Sequence, residues 1–368
     1  MATTAEHDSR LIAPHRVVAP ATGRESAVVS CWAALGACFV LFFVYLMARW
    51  VLSGEFRSVP SGATPIPGWM SVTVVAVQAI GVVAFVGVMY GIVVRPWRSD
   101  GHLSWDGLFA LAAGTLWWQD MLLNYGQATA LYNTHLLNFG SWVRLIPGWL
   151  PPNSQNLAEP PLYAGLWYAT FVILLVIGMN RAMARVRARW SRLTTSQLVL
   201  VACAIGIGLA LIIDPLYLRL GLYTYAGSYK PLTLFYGHYY QYPLYDAPAY
   251  GIWLGLCASL RFFRNDQGHS IVERGVERLR IGPRRRTFMR YLALAGVVNV
   301  IFLVATNLPL ALFAMHATSY PKDIQSRSYF VGGLCGRGTT YACPAAGMPI
   351  NGPSGVHIGP TGRLVGTK

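Results

Sequence analysis

The sequence predicts an all-α, polytopic membrane protein: a bundle of about seven transmembrane helices with a cytoplasmic N-terminus. Apolar residues make up 54% of its 368 residues and charged residues only 12%, whereas soluble domains typically contain about 25% charged residues. Long apolar runs recur along the chain, and roughly 20 such residues cross a bilayer as a helix. The basic residues are concentrated in alternate loops, which indicates repeated crossing.

The apolar runs define the elements in order. Seven candidate spans cover residues 27–52, 69–94, 108–123, 162–179, 197–213, 247–260 and 291–315. The first two and the last are long and apolar throughout, whereas the third, fifth and sixth are short or end in polar residues. The predicted organisation is therefore a cytoplasmic tail (1–26), one membrane domain (27–318) and an external tail (319–368), which is mostly disordered because it is rich in Gly and Pro.

Basic residues set the orientation. The N-terminal tail and the loops after the second, fourth and sixth spans hold 19 of the 29 Lys and Arg residues, and the opposite loops hold four. Positive residues stay in the cytoplasm, so the loops at 124–161 and 214–246 are predicted to be external. The net charge of +15 is then explained by contact with anionic lipid, at about 1 kcal/mol per cation, and it does not indicate nucleic-acid binding. We expect a multi-pass protein of the plasma membrane.

Two cysteines lie in the predicted external tail. Cys335 and Cys343 flank a Gly-rich turn, and a disulfide is plausible outside the cytoplasm. A zinc site is less favoured because His357 is the only other ligand type nearby.

The two long external loops are the candidate functional region. Each follows a span that ends in a carboxylate, Asp120 or Asp214, and Asp246 opens the next span. A carboxylate at the edge of a hydrocarbon layer indicates a functional site by default. Single aromatic residues in these loops are explained by an interfacial belt, but the accompanying Asn, His and carboxylate residues are not.

Each carboxylate has two readings. Asp120 shares a helical face with Trp117 and Asn124 by its spacing, and it is either a general acid or a helix-end carboxylate bonded to a neighbouring span. Asp214 and Asp246 precede prolines closely enough to be helix N-caps, although a cap can also face a pocket. Glu159 is a second acid–base candidate.

Histidines and motifs limit the chemistry further. His135 and His238 are the histidines of the two loops, and proton transfer or substrate orientation is favoured over metal binding because no metal-ligand spacing occurs. The sequence contains no P-loop, no nucleophile-elbow motif and no dinucleotide fingerprint at a strand–helix junction. It therefore predicts a site without metal or cofactor.

The central loop carries a family resemblance. The blocks Trp118-Gln-Asp120-Met-Leu-Leu-Asn124-Tyr125, Tyr132-Asn133-Thr-His135-Leu-Leu-Asn138-Phe139-Gly140-Ser141-Trp142, Ile146-Pro147-Gly148-Trp149 and Glu159-Pro160 resemble the AveC family of integral-membrane spirocyclases from polyketide pathways. The later segments around Asp214-Pro215, Tyr223-Thr-Tyr225 and Gln241 to Asp246 are similar to it as well. The resemblance covers roughly residues 30–320.

The resemblance implies acid-assisted cyclodehydration of an apolar dihydroxy-ketone to a spiroketal. By analogy Asp120 is the acid, Glu159 or Asp246 assists, and His135 with Asn138 holds substrate oxygens. Aromatic side chains would stabilise an oxocarbenium ion by about 0.5–2 kcal/mol. The other predicted substrate-binding residues are Trp117, Asn124, Tyr125, Tyr132, Asn133, Trp142, Asp214, Tyr223, Tyr225, His238 and Gln241.

Two other function classes remain open on the sequence. A transporter or lipid-binding membrane protein could use the same cavity, although no inverted repeat is evident. A membrane hydratase or cyclase for isoprenoids would also use acids and aromatic residues.

Overall fold

The computed structural model describes residues 23–148, 151, 153–316, 319–336, 339, 342–344, 357–358 and 364–365. Within them it is mostly helical. The long helices are α1 (Gly23–Leu52), α2 (Gly68–Asp100), α3 (Trp105–Gly114, continued by a 3₁₀ helix at Thr115–Asn124), α4 (Pro161–Arg189), α5 (Thr195–Arg219), α6 (Asp246–Phe262) and α7 (Pro283–Ala314). Two short helices follow, α8 (Lys322–Gln325) and α9 (Ser328–Val331). Most of the predicted cytoplasmic tail lies outside the described residues.

Five of these helices, α1, α2, α4, α5 and α7, are long and apolar enough to cross a membrane. The protein is therefore a multi-pass membrane protein. Its α1 and α2 expose apolar side chains such as Leu41 and Val83 (69% and 73% exposed), as expected of surfaces that face lipid. By contrast, α3 and α6 bury large side chains such as Phe109 and Trp253, so they form the interior of the bundle.

Short strand pairs join the loops at one end of the bundle, here called the loop end. The antiparallel pairs there are β1 (Ala130–Tyr132) with β4 (Tyr223–Tyr225), β2 (Phe139–Gly140) with β3 (Ala158–Glu159), and β5 (Thr233–Leu234) with β6 (Tyr242–Pro243). Near the C-terminus, β7 (His357–Ile358) pairs with β8 (Leu364–Val365). The first pair links the segment after α3 to the segment after α5. The two aromatic loops therefore lie side by side, as their predicted location on one side requires.

Charged residues join the helices at the opposite end, here called the basic end. Arg261 of α6 pairs with Asp106 of α3 at 2.8 Å. Glu273, which is fully buried, accepts from the Trp105 indole at 2.7 Å and from Arg290 at 2.8 Å. A buried charge is tolerated when it is paired and hydrogen-bonded, so this network ties α3, α6 and α7 together.

Glycines let the central helices approach closely. A Cβ added to Gly206 of α5 would collide with the backbone of Gly251 in α6, and one added to Gly36 of α1 would collide with that of Leu292 in α7. Helix pairs in membranes use small residues in this way because packing and not hydrophobicity drives their association.

Two helix ends differ from the prediction. The α5 helix continues through Pro215 to Arg219, so the interpretation of Asp214 as an N-cap is wrong. Asp246 is the first residue of α6, but its side chain does not cap that helix. A proline inside a membrane helix is tolerated where neighbouring groups satisfy the freed carbonyl, and a proline is therefore a weak boundary signal here.

The tail after α7 folds back onto the loop end. The backbone N–H of Thr134 donates to the carbonyl of Tyr329 at 2.9 Å, and Tyr329 and Phe330 are buried. The predicted disulfide between Cys335 and Cys343 is present. The tail was expected to be mostly disordered; residues 319–335 pack because their aromatic side chains fill space against the loops, and most of the tail after Pro344 lies outside the described residues.

Candidate active site

Three tyrosines on one two-stranded ribbon each donate to a different carboxylate. The antiparallel pairing of β1 and β4 places Tyr132 opposite Tyr223 and Ala130 opposite Tyr225, so the tyrosines project from one face of the ribbon. Their hydroxyl groups bind Asp120, Asp214 and Asp246, as follows: Tyr132 to Asp120 at 2.8 Å, Tyr223 to Asp214 at 2.9 Å and Tyr225 to Asp246 at 2.5 Å. The ribbon thus joins acidic residues from three helical segments.

These ribbon tyrosines are held in the neutral, donating form. Burial raises the pKa of Tyr132 well above its usual range, and the Asp120 carboxylate raises it further. Burial also raises the pKa of Tyr223 and Tyr225, reinforced by Asp214 and Asp246 respectively. A phenol next to a carboxylate in an apolar environment keeps its proton, so each one is a permanent hydrogen-bond donor.

Asp120 lies in the 3₁₀ segment that continues α3, and both of its oxygens are occupied. Oδ2 accepts from Tyr132, and Oδ1 accepts from the Tyr168 hydroxyl at 2.6 Å. The side chain is only 7% exposed. A 3₁₀ helix repeats every three residues, so Asp120 and Leu123 both face the cavity while Asn124 turns away. The α-helical spacing used in the sequence prediction does not apply here.

Amide side chains behind Asp120 hold this segment in place. The Asn299 carboxamide of α7 accepts from the Trp118 indole (3.0 Å) and from Gln119 (2.8 Å), and it donates to the Thr115 hydroxyl (2.9 Å). Asn307 donates to Gln119 at 3.2 Å. Buried polar networks that are satisfied in this way fix one geometry, and this network anchors the residues that immediately precede Asp120.

Asp214 and Asp246 form a second acidic centre. Their carboxyl groups are close enough to interact electrostatically, and Oδ2 of Asp246 has no hydrogen-bond partner among the described residues. Asp214 is also held by Tyr223 and faces the cavity, while Asp246 is completely buried behind it against Tyr225. Two neighbouring carboxyl groups hold one shared proton more readily than two negative charges.

Both acidic centres open onto one aromatic cavity. Its empty space, counting the open side, is about 810 Å³. Its walls comprise Asp120 and Asp214, seven tyrosines, and an apolar set that reaches into the bundle: Tyr132, Tyr163, Tyr168, Tyr217, Tyr223, Tyr225, Tyr250, Met121, Leu123, Ala130, Leu131, Ala164, Trp167, Leu175, Ala210, Ile213 and Leu254. Such a cavity suits an apolar ligand with a few oxygen atoms.

Glu159 is a buried carboxyl group beside this cavity. It is completely buried; one oxygen accepts from the Trp117 indole at 3.3 Å, and the other has no partner. Burial, and secondly the Asp120 carboxylate, raises the pKa of Glu159 well above its usual value. Glu159 therefore stays protonated over a wider pH range than an exposed glutamate.

This shift predicts a pH-dependent stability difference. Above about pH 4.5, ionisation of Glu159 stabilises the unfolded chain, whereas in the folded chain Glu159 stays protonated. The wild-type protein therefore loses stability as the pH rises towards the pKa that Glu159 has in the folded state. The loss is at most about 1.4 kcal/mol per pH unit. Glu159→Gln removes this ionisation. The thermal midpoint of the variant in detergent should therefore rise relative to that of the wild type as the pH increases from 5 to 8.

The matched control is Glu55→Gln, the same change at a carboxylate that pairs with Arg144 at 2.7 Å. A gap between the Glu159→Gln and wild-type midpoints that is constant over this pH range would show that Glu159 is ionised in the folded protein.

Several predicted substrate-binding residues instead bind the loop backbone. Asn124 accepts from the N–H groups of Thr129 and Ala130, and Asn138 accepts from that of Val59. The others that lie away from the cavity walls are Trp117, whose indole binds Glu159, and Tyr125, Asn133, His135, Trp142, His238 and Gln241. Their assigned roles stay predictions, and their observed contacts are those of loop packing.

Sequence reasoning did not select Tyr163, Trp167, Tyr168, Tyr217 and Tyr250 as site residues. Two had a readable signal: Tyr217 follows Asp214 by three positions and Tyr250 follows Asp246 by four, so each shares a helical face with a carboxylate. Tyr168 had none, because its contact with Asp120 depends on how α3 and α4 pack.

The comparison with known families agrees with the location of this cavity. A family model described as "Spirocyclase AveC-like" matches residues 102–330, more than half of the chain. All of the residues that line the cavity fall within this match, whereas α1 and α2 precede it. No curated protein and no solved structure matches the chain.

Proposed function

This chain belongs to the AveC-like spirocyclase family, and on that premise we propose that it is a membrane-embedded cyclase. The proposed reaction is the acid-assisted cyclodehydration of a dihydroxy-ketone polyketide, or a similar apolar substrate, to a spiroketal. The observation that carries the proposal is the pair of tyrosine-bound carboxylates, Asp120 and Asp214, on the wall of one aromatic cavity.

The first chemical step is the loss of water from a cyclic hemiketal. One substrate hydroxyl has added to the ketone, and the resulting hemiketal hydroxyl leaves as water when Asp120 protonates it. Tyr132 and Tyr168 then donate to the carboxylate that Asp120 becomes. Donors already aimed at a developing charge lower the barrier because they need no reorganisation.

The second step is capture of the oxocarbenium ion. The remaining hydroxyl attacks the cationic carbon, forms the second C–O bond, and gives its proton to the Asp214–Asp246 pair. One proton leaves Asp120 and one reaches the pair, so the net charge of the site is unchanged and water is the by-product. The faces of the surrounding tyrosine rings stabilise the cation, and the apolar walls limit its capture by bulk water.

The direct test is turnover by the purified protein in lipid vesicles. A synthetic dihydroxy-ketone should be converted to one spiroketal stereoisomer faster than in vesicles without protein, as resolved by chiral chromatography. Accumulation of unchanged ketone inside the vesicles would instead indicate a carrier. Water addition to, or ring closure of, a supplied isoprenoid without any action on the ketone would indicate a hydratase or cyclase of that class.

We also propose seven spans in the plasma membrane, with the N-terminus in the cytoplasm and the loop end outside. This adds α3 and α6 to the five long helices. It is supported by the strand pairing, which joins the ends of α3 and α5 at the loop end, and by the arginines at the basic end. A bilayer excludes unpaired arginines, so α7 begins with Arg284 and Arg285 at the membrane surface.

Cysteine labelling tests this topology. The labelling sites are Lys230→Cys at the loop end and Ser191→Cys at the basic end, both exposed. Both substitutions are made in a form of the protein that has no other reactive cysteine. In intact cells, a membrane-impermeant maleimide should label residue 230, and it should label residue 191 only after the membrane is opened. The reverse pattern would invert the proposed orientation.

A further inference from the structure

A second cavity lies on the lipid-facing side of the bundle, far from the tyrosine ribbon. It is a groove between α1, α3 and α7, with about 950 Å³ of empty space counting its open side. Its walls are almost entirely apolar, with Phe43 and Val44 from α1, Leu111 from α3 and Phe288 from α7. Val44 and Phe288 are more than half exposed, so lipid can reach the groove sideways.

The groove has one charged end. Arg284, in the first turn of α7, lines it together with Thr287, and Arg285 is the next residue. Arg284 forms no ion pair with any carboxylate in the described part of the chain. By contrast, Arg261 and Arg290 at the same end bind Asp106 and Glu273. Arg284 is therefore available to an external anion.

The groove is long enough to hold an acyl chain across one leaflet. Its inner end reaches Thr115, which binds Asn299 of α7 at 2.9 Å. Asn299 lies fifteen residues after Arg284, which is about 22 Å along a helix at 1.5 Å per residue. Half of a hydrocarbon layer is about 15 Å thick, so one acyl chain fits lengthwise with its headgroup at Arg284.

We propose that the groove between α1, α3 and α7 is a binding site for one anionic phospholipid, with its phosphate at Arg284 and an acyl chain along Leu111 and Phe43. Charge complementarity selects the headgroup, because an anionic lipid is attracted by a cation at the surface while a zwitterionic one gains little. Because the wall of the groove is apolar, the groove favours a phosphate that carries an acyl chain over a free phosphate ion. Lipid binding there does not require that the proposed reaction takes place.

The inner end of the groove also gives the lipid a structural role. Gly114 and Thr115 line it, and at these residues the α-helix of α3 changes to the 3₁₀ segment that carries Asp120. Thr115 is held there by the same Asn299 amide that binds Trp118 and Gln119. A bound acyl chain would therefore pack against the junction that fixes the position of Asp120.

Native mass spectrometry of the full-length protein tests the site directly. The protein is reconstituted with equal amounts of phosphatidylglycerol and phosphatidylcholine that carry the same chains, and the retained lipids are counted. The wild type should retain one phosphatidylglycerol preferentially. Arg284→Gln should weaken that retention about five-fold, the effect of one surface cation. The matched control is Arg192→Gln, an exposed arginine in the loop between α4 and α5, which should leave retention unchanged.

A groove-filling variant tests the position of the chain. Leu111→Trp should reduce phosphatidylglycerol retention, whereas Leu200→Trp on the exposed face of α5 (68% exposed) should not. Equal retention of both lipids by the wild type, or equal losses in the Arg284 and Arg192 variants, would overturn the proposal. Loss of retention in the Arg284 variant with none in the Leu111 variant would overturn it as well, since the chain would then lie outside the groove.

Discussion

Replacement of Asp120 by Asn should lower spiroketal formation by about 10²- to 10⁴-fold, the usual worth of general acid–base catalysis. Asn keeps the size of the side chain, and its carbonyl oxygen can still accept from Tyr132 or Tyr168, but it has no proton to give to the departing hydroxyl. Turnover of the purified variant in vesicles, normalised to the amount of folded protein in the membrane, measures the loss.

Two further variants show whether the loss is chemical. Asp266→Asn makes the same change at an exposed carboxylate of the basic end and should leave turnover unchanged. Tyr168→Phe removes one donor to the carboxylate that Asp120 becomes, and a hydrogen bond to a charged group is worth about 1.5–3 kcal/mol, so turnover should fall by roughly 10- to 100-fold. Wild-type turnover by the Asp120→Asn protein would exclude Asp120 as the acid.

Replacement of Asp214 by Asn should reduce turnover by about 10²-fold or more, because the variant cannot accept the proton of the attacking hydroxyl. The fold should persist, since the carbonyl oxygen of Asn can still accept from Tyr223. The two readings of this residue give different results. If Asp214 were a helix cap, its replacement by Asn would have little effect, because Asn caps nearly as well. For a cavity carboxylate within α5, the same replacement should lower turnover.

The measurement is again turnover per folded protein, together with the thermal midpoint in detergent. A variant with a normal midpoint and low turnover supports the proposed acceptor. A variant with normal turnover would remove Asp214 from the mechanism and leave Tyr223 as its structural partner. Asp120 and Asp214 act on different protons, in successive steps of one reaction. If one of these steps limits turnover, the double variant should be at most slightly slower than the slower of the two single variants.

The membrane character of the fold could be predicted because hydropathy is a property of consecutive residues. The runs at 27–52 and 69–94 are apolar on all sides, and the structure has α1 and α2 there. The limits of the weaker runs were less accurate. The α7 helix begins at Pro283, eight residues before the predicted start, since its first turns carry arginines that hydropathy assigns to a loop although they can extend to the membrane surface.

The candidate site was predictable only in part. Asp120, Asp214 and Asp246 were identified from the sequence because a carboxylate at the end of an apolar run is costly without a partner. Their partners were not all identified. Tyr168 lies 48 positions from Asp120, and no local pattern relates the two residues. The roles of Asn124 and Asn138 were assigned by residue type, but their side chains bind loop backbone.

The sequence by itself therefore determined that this chain crosses a membrane several times, that its two aromatic loops lie at one end, and which family it resembles. The first two follow from hydropathy and from the distribution of basic residues along the chain, and the third follows from short motifs such as the block from Trp118 to Tyr125. Only the tertiary structure decided which tyrosine binds which carboxylate, that Asp214 lies within a helix, and that Asp120 sits in a 3₁₀ segment anchored by Asn299. The physical reason is that these features depend on contacts between distant segments, and those contacts are set by the pairing of β1 with β4 and by the close packing of the helices.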